Sequence, residues 1–264
     1  MTDWEYIQRQ RSYWENNLDP DNIGHRGQTV IPPREVAQRL KFYGRSPHLR
    51  HVRKLMGAVE GRRILELGGG MSVQPLILAQ LGADVWVADV SIRRLAALQR
   101  LARQWGVDVG LHCVTAPAEA LPFAGETFDI VTTNAVLIHT RLEDASREIH
   151  RVLRRGGRAI LSEPTGGHPV ANLYRRTLAP REWRPLTRYL SATRFAEVGR
   201  LFTEYRVDYF YLLGFFAFVW EFAVPSPGFF RVSLAVTQPV DRTLFTLVPA
   251  LRRMAWFGVL CGVK

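Results

Sequence analysis

Apolar residues along this chain follow two alternating rhythms. Short runs dense in apolar and β-branched residues occur at 63–67, 84–89, 109–114, 128–134 and 157–163. Between them lie stretches whose apolar positions recur three and four residues apart, which predicts helices at 72–81, 91–105 and 141–154. Strands alternating with helices predict a parallel sheet with helices packed on its faces. Ser91 stands where an N-cap is expected for the LAALQRLARQW helix, and Gly156-Gly157 supplies the stop after HRVLRR.

The flanks follow other patterns. Trp4, Tyr6, Ile7, Tyr13, Trp14 and Leu18 recur at roughly helical spacing in a polar stretch. A second helical pattern begins near Pro33 and Glu35, and a third follows Ser46-Pro47 with Leu49, Val52, Leu55 and Met56 on one face. Residues 1–60 are therefore read as an N-terminal helical unit, either covering a sheet face or closing as a lid over the substrate. Residues 61–264 form the main domain, with substrate-facing insertions at 164–200 and 213–250. In that half, 187–200 reads as a helix, EYRVDYFYLL as a sixth strand, DRTLFTLVPALRR as a helix and AWFGVLCGV as a seventh strand. The 214–230 stretch, GFFAFVWEFAVPSPGFF, is strongly aromatic and carries one charge. It is expected to be an apolar substrate wall, a dimer contact or a membrane-docking lip, while Glu221, Pro225 and Pro227 argue against a spanning helix.

Candidate chemistry gathers at the first strand. Arg63–Gly70, RILELGGG, passes from a buried apolar run directly into three glycines, as a central strand does on entering a ligand-facing turn. Gly68 and Gly70 allow positive φ and close backbone approach, with Gly69 between them. Glu66 places a carboxylate at the strand's carboxyl end, suited to a cationic or hydroxyl-bearing ligand. Asp89 ends the second strand 21 positions after Gly68, the spacing at which an acid receives ribose hydroxyls. A dinucleotide fingerprint would place its third glycine where this chain has Val73.

The succession ILELGGG, VWVAD, AEALPF, FDIVTTNAVLIHT and REIHRVLRRGGRAILSEP extends over about 100 residues. It resembles the type 11 class I S-adenosylmethionine (SAM) methyltransferases, which include ubiquinone/menaquinone C-methyltransferases. The resemblance implies an α/β, Rossmann-like, doubly wound seven-stranded sheet in the order 3-2-1-4-5-7-6, strand 7 antiparallel. It implies SAM as cofactor, with Glu66 at the amino group of its methionine moiety and Gly68, Gly69 and Gly70 against its backbone-facing side. Asp89 would take the ribose hydroxyls, Val90 would lie against adenine, and Ala118 and Glu119 would meet the adenine edge. Asn134 would approach the methionine end. Two departures stand out: Ser72 replaces a common third glycine, and Pro117 replaces an acid that usually precedes Ala118. For proton removal the candidates are His139, just after the fourth strand, and His168 in the GGHPV loop, with Tyr174 and Glu163 behind them.

Composition sets the remaining bounds. The 264 residues are 47% hydrophobic, enough for a sizeable core. The net charge is +11 and the cations are nearly all arginine, with lysine only at 41, 54 and 264. Such charge raises RNA or tRNA methylation as an alternative, but neither a base-flipping motif nor a separate RNA-binding module accompanies it. A methyltransferase-like binding protein without catalysis is the other alternative. No zinc-ligand cluster is present, so no metal is expected. Cys113 and Cys261 make no disulfide framework, and MTDWEYIQRQ lacks a signal peptide's features, so a cytoplasmic protein is expected. The expected acceptor is a small, partly apolar molecule of the natural-product, quinone or lipid type. Peripheral membrane contact through 214–230 and a homodimer are further expectations.

Overall fold

The computed structural model describes residues 3–16, 41–70, 72–177, 179 and 185–264. The helical pattern near Pro33 and Glu35, and Leu18, lie outside the described residues. Seven strands form one sheet: β1 (Arg63–Leu67), β2 (Asp84–Asp89), β3 (Leu111–Thr115), β4 (Phe128–Asn134), β5 (Leu153–Pro164), β6 (Glu204–Phe210) and β7 (Phe257–Val263). Their order is β3-β2-β1-β4-β5-β7-β6. The first five pair in parallel, whereas β7 runs antiparallel to both β5 and β6. This is the expected topology, including the reversed seventh strand.

Both faces of the central strands are buried, as a parallel sheet requires. Leu65, Leu67, Val131, Ala159 and Leu161 pack on one side, and Ile64, Val85, Val87, Ile130 and Ile160 on the other. Successive side chains point to opposite faces, so both members of each neighbouring pair must be apolar for both faces to close. The helices that cover them are α1 (Asp3–Asn16), α2 (Pro47–Met56), α3 (Gln74–Gln80), α4 (Ile92–Gln104), α5 (Leu142–Val152), α6 (Pro169–Thr177), α7 (Ala192–Gly199), α8 (Val219–Phe222) and α9 (Pro227–Leu247). Ser91 caps α4 as expected, its hydroxyl accepting from Arg94 N–H.

The helix expected at 187–200 forms only over Ala192–Gly199, and two further boundaries differ for a local reason. Strand β5 starts at Leu153 rather than 157, because Leu153 pairs with Phe128 before a bulge and Gly156 takes a φ of +73°. Helix α9 starts 14 residues before the expected Asp241 and ends at Leu247. Pro227 sits in its first turn, where proline is favourable, although in sequence it reads as a breaker. Asp241 then ties this helix to the end of β6, accepting the N–H groups of Leu212, Leu213 and Gly214 at 3.0, 2.8 and 3.1 Å.

Candidate functional site

The sheet's topological switch point lies between β1 and β4, where the strand order reverses. At the carboxyl end of β1 the chain makes the glycine turn. Gly68 has a φ of +66°, and a Cβ there would lie 2.5 Å from Val136 Cγ2. A Cβ on Gly69 would sit 3.0 Å from Glu66 Oε1, and one on Gly70 would sit 2.8 Å from Asp89 Oδ2. The turn is thus folded down between the two acids, and only glycine fits there.

Each acid is held by its own partners. Asp89 Oδ2 accepts Gly70 N–H at 3.1 Å while Oδ1 accepts Ser91 N–H at 2.9 Å, fixing the turn to the second strand. Glu66 Oε2 accepts from Gln74 Nε2 at 3.0 Å. Gln74 Oε1 in turn accepts from the Tyr43 hydroxyl at 2.6 Å. Burial pushes the Glu66 carboxyl up to about 8, against hydrogen bonds from Ser72 and Gln74 that favour its ionised form. A buried carboxyl poised this way is readily ionised by an incoming cation. Gln74 and Tyr43 carried no signal in the sequence: a buried amide and a helical tyrosine are ordinary until the fold brings them together.

Helix α1 crosses this region. Glu15 accepts the N–H of Ile92 at 2.8 Å at the start of α4. Gln10 Nε2 donates to Leu186 O at 2.8 Å. Trp14 packs edge-on to the His139 ring at 5.0 Å, and the Arg94 guanidinium lies 4.9 Å from the Trp14 ring. Arg94 belongs to the helix after β2 and His139 to the turn after β4. Trp14 therefore bridges the exits of β2 and β4, the two strands on either side of β1.

The sequence-predicted residues separate into groups. Glu66, Gly68, Gly69, Gly70 and Asp89 converge around the glycine turn, with Val90 half-buried beside Asp89. Ala118 is half-buried, but Glu119 turns to the next loop, its Oε1 accepting Arg141 N–H at 2.9 Å. Asn134 is exposed at the end of β4. His139 Nδ1–H donates to Leu186 O at 3.0 Å, leaving Nε2 as a lone pair, and burial lowers the ring to about 4. His168 lies elsewhere, against Phe215 and the end of β6. Its Nε2–H donates to Leu212 O at 3.0 Å and its Nδ1 accepts Ala171 N–H at 3.2 Å, so both ring nitrogens are engaged. Glu163 is fully buried behind β4, accepting from Thr133 Oγ1 at 2.7 Å and Val136 N–H at 3.2 Å, and burial pushes it up to about 7.

The aromatic 214–230 segment divides. Ala217, Phe218 and Phe230 are buried, with Phe218 packed against Tyr211, Phe230 and Trp256. Phe216, Val219, Val224 and Phe229 remain exposed. Among the described residues, no helix is long and apolar enough to cross a membrane.

A Rossmann-like sheet with a reversed last strand, and an acid on either side of a glycine turn at its switch point, defines the methyltransferase class of nucleotide-binding fold. Residues 65–161 match the family described as "Methyltransferase domain". That segment, in this sheet order, supports a class I SAM-dependent methyltransferase of type 11. It is 35% identical over 111 residues to the ubiquinone/menaquinone biosynthesis C-methyltransferase UbiE of Vibrio parahaemolyticus. That match covers 40% of this chain and 43% of the relative, so the chain spans less than half the length of the curated protein it resembles. Geranyl diphosphate C-methyltransferase of Streptomyces coelicolor superposes with a TM-score of 0.62 over 97% of each chain, at 14% identity. The [4+2]-cyclase SpnF superposes with a TM-score of 0.56 over 98% of this chain and 93% of its own, at 18% identity. These two likenesses show the fold, which alone does not fix the reaction.

Proposed function

We propose that this protein transfers a methyl group from SAM to a small-molecule acceptor with a sizeable apolar part, of the quinone, natural-product or lipid-like kind. The observation that carries the reading is the glycine turn clasped between Glu66 and Asp89 at the switch point. The donor set fits SAM: a buried carboxyl for an ammonium group, backbone without Cβ atoms, and a second carboxylate at ribose spacing. Glu66, oriented by Gln74, would hold the methionine ammonium. Asp89 would exchange its bond to Gly70 N–H for ribose hydroxyls, and Val90 with Ala118 would border the adenine.

SAM supplies an electrophilic methyl on a sulfonium, so the protein's work is alignment and the exclusion of water. Trp14 on α1 stands over the exits of β2 and β4 and would serve as part of a lid. With His139 Nδ1–H given to Leu186 O, its Nε2 is the nitrogen that would accept a proton from an acceptor. Phe215, Phe216 and Trp256 cluster beside His168, away from the glycine turn, so the apolar acceptor is inferred from the aromatic composition of 214–230. The match to a quinone C-methyltransferase spans the cofactor-binding segment, so it supports SAM as donor and offers a quinone only as one acceptor to test.

The test is isotope transfer. Purified protein incubated with methyl-labelled SAM and a fractionated cell extract should label an organic-extractable small molecule. Label found only in RNA, or calorimetry showing no SAM binding, would overturn the reading.

A further inference from the structure

Helix α9 is amphipathic in the opposite sense from most surface helices. Its buried side is short: Phe230, Leu234, Asp241 and Phe245 face inward. Its outward side carries Phe229, Val232, Val236 and Val240 at exposures of 61, 61, 64 and 42%, with Leu247 at 73%. These positions fall three, four, four and seven residues apart, a single stripe along the helix. A surface helix normally shows charged residues there, and an exposed apolar stripe of this length marks an interaction surface.

The charges around the stripe identify what it meets. From 223 to 254 the exposed charged side chains are Arg231, Arg242, Arg252 and Arg253. The acids of this region point inward. Asp241 is buried on backbone N–H groups, and Glu221 is paired with Arg45 at 2.9 Å. A symmetric dimer through this face would set the same arginine-bearing patch against itself, placing like charges together. An anionic lipid surface meets both features at once: acyl chains take the valines and phenylalanine while phosphates take the arginines. A shallow groove of about 560 Å³ opens beside Ser226, Phe229, Arg231 and Ala235 at the amino end of the stripe.

We propose that the outward face of Pro227–Leu247 lays the protein onto anionic phospholipid membranes. The helix lies in the plane of the interface rather than crossing it, and the flanking arginines set the preference for negative headgroups. This inference does not depend on methyl transfer, because binding is read without SAM or acceptor.

The experiment is flotation of the full chain with vesicles of neutral phosphatidylcholine and of phosphatidylcholine containing one-third phosphatidylglycerol, at low and high salt. The wild-type protein is expected to float with the anionic vesicles and much less with the neutral ones. Val232→Glu with Val236→Glu should reduce binding at least tenfold, with circular dichroism and SAM affinity unchanged. Arg231→Glu with Arg242→Glu should remove the anionic preference, since each arginine contributes roughly fivefold at a charged surface. Equal flotation of wild type and both variants would overturn the proposal. So would sedimentation showing a dimer that the valine variants dissociate, with no vesicle binding by wild type.

Discussion

Gln74 Nε2 donates to Glu66 Oε2 across 3.0 Å, and the same amide's oxygen receives the Tyr43 hydroxyl at 2.6 Å. A single buried amide therefore connects the N-terminal part of the chain to the acid beneath the glycine turn. An amide can serve both neighbours because one end donates and the other accepts. Tyr43→Phe removes one neutral hydrogen bond, worth about 1 kcal/mol, and is expected to weaken SAM binding about fivefold. Gln74→Met leaves Glu66 without that donor and should cost more, roughly tenfold or above. Calorimetric titration with SAM checks both, and affinity unchanged in the Gln74 variant would remove the amide from the site.

The same carboxyl gives the cofactor-free protein a pH signature. Burial pushes Glu66 up to about 8 and Glu163 to about 7, from ordinary values of 4.5. Their folded forms hold protons that the unfolded chain releases, so the stability they confer is complete below pH 4.5 and lost as pH rises through 7 and 8. Buried His48 and His139 act in the other direction. Lowered to about 3 and about 4, they stabilise fully above pH 6.5 and lose that contribution on acidification. Between pH 6.5 and 8 the decline from the two carboxyls is therefore left unopposed by these histidines. Melting temperature should fall across that window, with each group contributing at most about 1.4 kcal/mol per pH unit. Glu66→Gln should flatten the upper half of the profile. Saturating SAM should do the same, because its ammonium favours the carboxylate. An unaltered slope in Glu66→Gln would show that Glu66 is already ionised.

Gly68→Ala tests the glycine turn itself. The residue sits at a φ of +66°, and the new methyl would lie 2.5 Å from Val136 Cγ2. The conformational part costs roughly 1–2 kcal/mol and the clash adds to it. The double variant with Val136→Ala should recover the clash but not the conformational cost. Stability and SAM affinity of the single and double variants, compared as a cycle, separate the two. A double variant no better than Gly68→Ala would mean that Val136 does not constrain the turn.

What the sequence revealed follows from the range of each interaction. The glycine turn, Glu66 and Asp89 stand out because a strand passing into a tight turn needs particular residues within a few positions of one another. The sheet order was legible through the family resemblance carried by those same segments. The Tyr43–Gln74–Glu66 chain and the Asp241 clasp on Leu212–Gly214 join residues 27 to 31 positions apart at their longer steps. Their partners are ordinary polar groups, so no local pattern announces them. Helix α9 was hidden because Pro227 reads as a breaker, yet it occupies a tolerant position in the helix's first turn. His168 looked like a free loop histidine, and only the fold shows both its nitrogens taken by backbone.

That difference between the two histidines yields the prediction closest to the chemistry. His139 uses Nδ1–H on Leu186 O and keeps Nε2 as a lone pair beneath Trp14, near the exit of β4. Burial lowers its ring to about 4, so it is neutral at pH 7 but a weak base, able to take a proton only as methyl transfer makes the acceptor more acidic. His168 is neutral as well, but Ala171 N–H already occupies its acceptor nitrogen. His139→Ala is therefore expected to lower kcat roughly 10²-fold with SAM affinity nearly intact. His168→Ala should instead cost about 1–3 kcal/mol of stability, because Leu212 O and Ala171 N–H lose their shared partner, while kcat of the folded protein holds. Turnover on the labelled product, SAM titration and thermal melts of the two variants distinguish these outcomes. Normal turnover in His139→Ala would mean that alignment alone carries the reaction. A loss confined to His168→Ala would require the loop after β5 to rearrange and free a nitrogen that the present fold holds.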